Sequence, residues 1–89
     1  MRAVVTVIGK DMVGILAAVS CVCAEAEVNI TEVTQSVLQD LFAMIMLVDL
    51  QGAKISFADL SQKLEQYGNE SGLNIRIMNE NIFNSMHRI

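Results

Sequence analysis

The chain has 89 residues, the length of one small domain near the lower limit of what folds alone. It is 53% hydrophobic and 18% charged and has no proline, a composition that excludes a disordered or low-complexity segment. Ten acidic against six basic residues leave a net charge of −4, which argues against a nucleic-acid binder and against a polybasic membrane-surface module.

In chain order, residues 2–8 (RAVVTVI) are rich in β-branched side chains and end at a glycine, which predicts a strand. A run without breakers then extends from Gly14 to Glu27. At about 100° per residue, Ile15, Val19, Val22, Cys23 and Ala26 share one face, so an amphipathic helix is expected, with Asp11 or a neighbour as its cap. Residues 29–38 are rich in Thr and Val, but the apolar parity changes between Ile30 and Val33; an edge strand with a bulge fits. Gln39-Asp40-Leu41 reads as a turn. FAMIMLVDL, residues 42–50, is apolar at nearly every position and predicts a central strand buried on both faces.

Ser56-Phe57-Ala58-Asp59 has the form of a capping box, followed by Leu60, Leu64 and Tyr67 at helical spacing. This second helix is expected to end between Gly68 and Gly72. Ile75 and Ile77 alternate with Arg76 and Met78 in a last strand over residues 74–79. Ile82, Phe83, Met86 and Ile89 then mark a short terminal helix. The order β-α-β-β-α-β defines an α+β, ferredoxin-like sandwich: a four-stranded antiparallel sheet with two helices on one face, plus a short C-terminal helix. The expected organisation is a single domain over residues 1–89, with a core of 1–79 and a tail of 80–89.

With that order in place, VTVIGKDMVGILAAVS (residues 5–20) followed by EVNITEV (residues 27–33) resembles the ACT domain. The resemblance covers essentially the whole chain and extends to the short stand-alone ACT proteins of bacteria and archaea, a largely uncharacterised group. It implies a non-enzymatic regulatory domain that binds an amino acid or related metabolite at a subunit interface and signals to a partner protein. It also implies the site. The loop between the first strand and first helix receives the ligand's charged groups, here Gly9, Lys10, Asp11, Met12, Val13, Gly14 and Ile15. Asn29 and Ile30 open the second strand, with Asn29 often supplied by the neighbouring subunit. Met12 departs from the family pattern, since many members carry Arg or Lys there.

Elementary chemistry points to the same place. A helix N-terminus offers unpaired N–H groups and a partial positive charge to a carboxylate. Glycines at 9 and 14 allow close backbone approach, Asp11 suits an ammonium, and Asn29 both donates and accepts. The plainer alternative is a turn shaped by two glycines, with Asp11 as a helix cap.

Other signals carry little chemistry. Gly9-x4-Gly14 lacks the Lys and Ser or Thr that a phosphate loop needs, since Ile15-Leu16 follow. Cys21 and Cys23 diverge by roughly 200° on a helix and do not converge on a metal, so no metal site and no cofactor are expected. His87 beside Arg88 reads as a solvated tail residue. Glu25, Glu27 and Glu32 read as solvated faces, and Met44 and Met46 as core.

The first apolar run, residues 3–8, is too short for a secretory signal, and nothing approaches the roughly 20 apolar residues of a membrane span. Two cysteines make no disulfide framework, so a cytoplasmic location is expected. Because both parities of the first and third strands are apolar, a homodimer or higher oligomer is expected, joined through the sheet face or side by side through the second strand. The competing function on the same fold is a ligand-free interaction module. An RNA reader would need more aromatic residues on the central strands.

Overall fold

The computed structural model of the chain describes residues 1–10 and 14–87. The elements are β1 (Arg2–Gly9), α1 (Ile15–Glu25), β2 (Asn29–Leu38), β3 (Leu41–Asp49), α2 (Phe57–Ser71), β4 (Asn74–Asn79) and α3 (Glu80–His87). The strands form one antiparallel sheet in the order β2-β3-β1-β4, so β1 and β3 are central and β2 and β4 are edges. This is the ferredoxin-like arrangement expected from the element order.

Strand alternation divides the side chains between two faces. On the inner face, Ala3, Val5 and Val7 of β1 meet Phe42, Met44, Met46 and Val48 of β3 and Ile75 of β4. Ile15, Val19 and Cys23 of α1 and Leu60 and Leu64 of α2 close over them in one buried cluster. The expected α1 stripe thus faces the core, with Val22 packed at its margin.

The outer face is treated differently. Val4 points that way, is only 4% exposed, and stands apart from the main cluster. Its cover is α3, which packs on β1 and β4, touches neither α1 nor α2, and is tied down by an ion pair from Arg2 to Glu80 at 2.7 Å. Among the described residues no helix packs over β3 on this face, and Leu41 and Ile45 are each 43% exposed. β3 is therefore central but buried on one face only, not on both. The terminal helix also departs from its expected apolar stripe: Phe83 is half-buried, whereas Ile82 is 55% exposed.

Local chemistry explains the element ends. Ser56 caps α2 by accepting a hydrogen bond from the Asp59 N–H at 3.1 Å, as the capping box predicts. Gly72 ends it in the left-handed conformation at φ 74°. α1 stops at Glu25, two residues short of the expected Glu27. Glu27 itself adopts φ 57°, and the N–H groups of Glu27 and Val28 donate back to the carbonyls of Ala24 and Cys23. At the other end the cap position of α1 is Gly14 at φ 75°; the expected cap, Asp11, lies outside the described residues. The bulge in β2 falls between Ile30 and Glu32. Thr31, the extra residue, donates its hydroxyl to the Leu47 carbonyl at 3.0 Å. The turn after it is shorter than expected, since Leu41 already belongs to β3.

Candidate functional site

Gly9 closes β1 on the inner face, opposite Phe42. A Cβ added there would run into Cδ2 of Leu73, which descends from the α2–β4 connection. Gly9 is thus already explained by packing. Gly14 is different: its φ of 75° favours glycine, and among the described residues no atom lies within 4 Å of where its Cβ would stand. Lys10 is exposed, whereas Ile15 is 3% exposed and belongs to the core. Asp11, Met12 and Val13 lie outside the described residues.

The first turn of α1 has a distinct electrostatic character. It contains no acidic residue, and among the described residues no side chain caps it. The Gly14 carbonyl accepts the first intrahelical bond, from Ala18 at 2.9 Å. The preceding amides project from the helix end with the positive pole of its dipole. α2 has neither property, because Ser56 caps it and Asp59 sits in its first turn.

Asn29 and Ile30 are far from this loop within one chain. Asn29 pairs with Asp49, which pairs with Arg2, whereas Gly9 pairs with Phe42. Seven residues of β3 separate the two rows, about 23 Å along the sheet. Asn29 is exposed, and alternation turns its side chain to the face shared by Arg2 and Asp49. Ile30 packs at the margin of the core. The loop and Asn29 do not form one site in a single subunit.

A second copy paired along the free edge of β2 would bring them closer. Val37 pairs with Phe42, so the C-terminal end of β2 lies at the Gly9 end of the sheet. An antiparallel pairing of two β2 edges turns each Asn29 toward that end of the partner. Three strand spacings, about 14 Å, would then separate Asn29 from the partner's β1. The edge is open to such pairing: β2 runs for ten residues with Glu32 as its sole charge and without the lysine or proline that commonly protects an edge.

The surface cleft between α2 and β4 lies elsewhere. Its lining (Glu65, Asn69, Leu73, Asn74, Ile75 and Arg76) contains none of the candidate residues. No sequence signal marks this cleft, because its two charged residues, Glu65 of α2 and Arg76 of β4, lie on different elements.

The cysteines behave as their helical phase requires. Cys21 is exposed, with its thiol 3.6 Å from the Glu25 carboxylate, and Cys23 is buried, its pKa raised by desolvation. Among the described residues no group of three His, Cys, Asp or Glu is arranged to hold a metal. No described helix is long and apolar enough to cross a membrane.

A four-stranded antiparallel βαββαβ sheet in the order β2-β3-β1-β4 defines the class of ferredoxin-like α+β modules. The ACT-domain family profile matches residues 2–78, and the chain belongs to that family. It is 49% identical over 88 residues to a UPF0237 protein of Methanocaldococcus jannaschii, covering 99% of this chain and 98% of that one. Among solved structures it is similar to an ACT domain protein from Streptococcus pneumoniae, with a TM-score of 0.81, 37% identity and 93% of each chain covered. The regulatory subunit of aspartate kinase from Thermus thermophilus shares the fold, with a TM-score of 0.65 at 24% identity, over 86% of this chain and 50% of that one.

Proposed function

We propose that this protein is a non-catalytic regulatory module of the cytoplasm. It binds an amino acid or a closely related metabolite between two subunits and passes that binding to a partner protein. The observation that carries the reading is the first turn of α1, which holds no acid and, among the described residues, has no side-chain cap and no atom within 4 Å of where a Cβ on Gly14 would stand. A ligand carboxylate placed there meets backbone N–H donors and the positive helix pole. In this reading Asp11 is the chemical partner for the ammonium, and Asn29 of a β2-paired neighbour is the candidate amide. The family supports this, because ACT domains typically bind small molecules in regulatory proteins. A structural neighbour that is itself a regulatory subunit supports the same class.

A second reading, docking without a ligand, is favoured by Gly9 and Ile15, whose identities packing explains in full. Thermal shift against the twenty amino acids and small metabolites separates the two. A ligand at 100 times its Kd stabilises the native state by about 2.7 kcal/mol, a shift of several degrees in Tm. Asn29→Ala and Asp11→Ala are expected to lose that shift while melting like the wild type without ligand. Retention of the full shift in both variants would falsify the site. The absence of any shift across the set favours the docking reading.

A further inference from the structure

The cleft between α2 and β4 is built on fixed parts. Leu73 and Ile75, both buried, are its apolar members; Glu65 and Asn69 of α2 and Asn74 and Arg76 of β4 complete the lining. Leu73 is held from three sides. Its N–H donates to the Gly68 carbonyl at 2.8 Å, and an added Cβ on Gly68 would stand 2.8 Å from the Leu73 carbonyl oxygen. Its side chain fills the space that a Cβ on Gly9 would need. Gly72, left-handed at φ 74°, makes the turn that brings β4 back along α2. A cleft set by backbone contacts exists before any ligand arrives, which removes an ordering cost from binding.

Its polar groups are available. Glu65 and Asn69 stand one helical turn apart and share a face of α2. Asn74 and Arg76 alternate with the buried Ile75 and border the cleft at the free edge of β4, beyond which no strand follows. Arg2 closes on Glu80 at 2.7 Å, but Glu65 and Arg76 line one cleft without pairing with each other. Among the described residues no side-chain hydrogen bond or ion pair engages any of the four.

This lining selects a chemistry. A carboxylate on the α2 wall and a guanidinium on the β4 wall make the cleft neutral as a whole but dipolar. The negative pole of α2 lies at the same end, and its last turn holds no basic residue, so a cation is favoured on that wall. A singly charged molecule satisfies one wall and leaves the other unmet, whereas a zwitterion satisfies both, and the two carboxamides donate and accept beside it. The apolar pair suits a methylene chain between the charged ends. A cavity volume of about 200 Å³ equals about seven water volumes, the size of a molecule of about seven to ten non-hydrogen atoms. We propose that the α2–β4 cleft is a small-molecule site of its own, which takes a short linear zwitterion with its ammonium at Glu65 and its carboxylate at Arg76. It uses neither the first turn of α1 nor Asn29, so it stands independently of the ligand reading above.

Contacts this open to water bind weakly, with a Kd on the order of 1 mM. The test is therefore a titration of the isotope-labelled full chain with δ-aminovalerate to about 50 mM at constant ionic strength, read by amide chemical shifts. Saturable shifts are expected at Glu65, Asn69 and residues 73–76, with butylamine and butyrate each binding at least about fivefold more weakly. Glu65→Arg and Arg76→Glu, both at exposed positions, are each expected to weaken binding about tenfold. The double variant recovers most of it, because a linear zwitterion can turn end for end; circular dichroism verifies that all three variants fold. Shifts confined to the first turn of α1 belong to the other site and count against this one. No saturable shift at the cleft, equal binding of the half-ligands, single reversals that bind like the wild type, or a double variant that recovers nothing overturns the proposal.

Discussion

Two glycines five residues apart, in one motif, owe their identity to different physics. At Gly9 a methyl group would collide with the Leu73 side chain; at Gly14 the positive φ of 75° favours glycine, and among the described residues nothing crowds the position. Gly9→Ala is therefore expected to destabilise the ligand-free protein by about 1 kcal/mol, because Leu73 must leave its preferred rotamer. In a Leu73→Ala background, itself destabilised by about 2 kcal/mol or more, the same change is expected to be neutral. A double-mutant cycle by denaturant unfolding reads that coupling directly. A Gly9→Ala protein as stable as the wild type would mean that the glycine answers to something other than packing.

At the scale of elements, α1 shows how a helix can end without the usual residue. The left-handed position after a helix favours glycine, and α2 has one in Gly72, but α1 has Glu27 there. An ion pair from Lys54 to Glu27 at 3.5 Å, with both side chains well exposed, offsets little of that strain. Glu27→Gly is expected to raise stability by about 0.5 to 1 kcal/mol, measured by chemical denaturation. A net loss of stability would show that the Lys54 contact outweighs the backbone term. α2 needs no such correction, because Ser56 and Gly72 supply both ends with their favoured residues.

For the whole molecule, the decisive element is the shortest helix. α3 places Val4 in a second, smaller apolar layer on the outer face, separate from the main core. Val4→Ala removes two methyl groups from that layer and is expected to cost about 2 kcal/mol, close to the same change at Val5 in the main core. A change at Val4 below about 0.5 kcal/mol would show that α3 does not hold its position in solution.

Much of this was legible along the chain. Periodicity located the strands and helices because side-chain phase and burial are local properties: the alternating Ile75 and Ile77, the α1 stripe from Ile15 to Ala26, and the parity change after Ile30 all mark their elements. Local pattern also marked the capping box at Ser56, since the bond it describes spans three residues. The end of α1 was not legible, because a left-handed Glu27 leaves no compositional trace. β3 illustrates the larger limit. Its sequence is apolar on both parities, but whether the row of Ile45 meets protein or water depends on where α3 lies, some 40 residues later. The candidate site has the same character: the motif residues could be named from sequence, yet only the sheet register places Asn29 at the opposite end from Gly9. Pairing between strands distant in sequence sets that separation, and no pattern of neighbours encodes it.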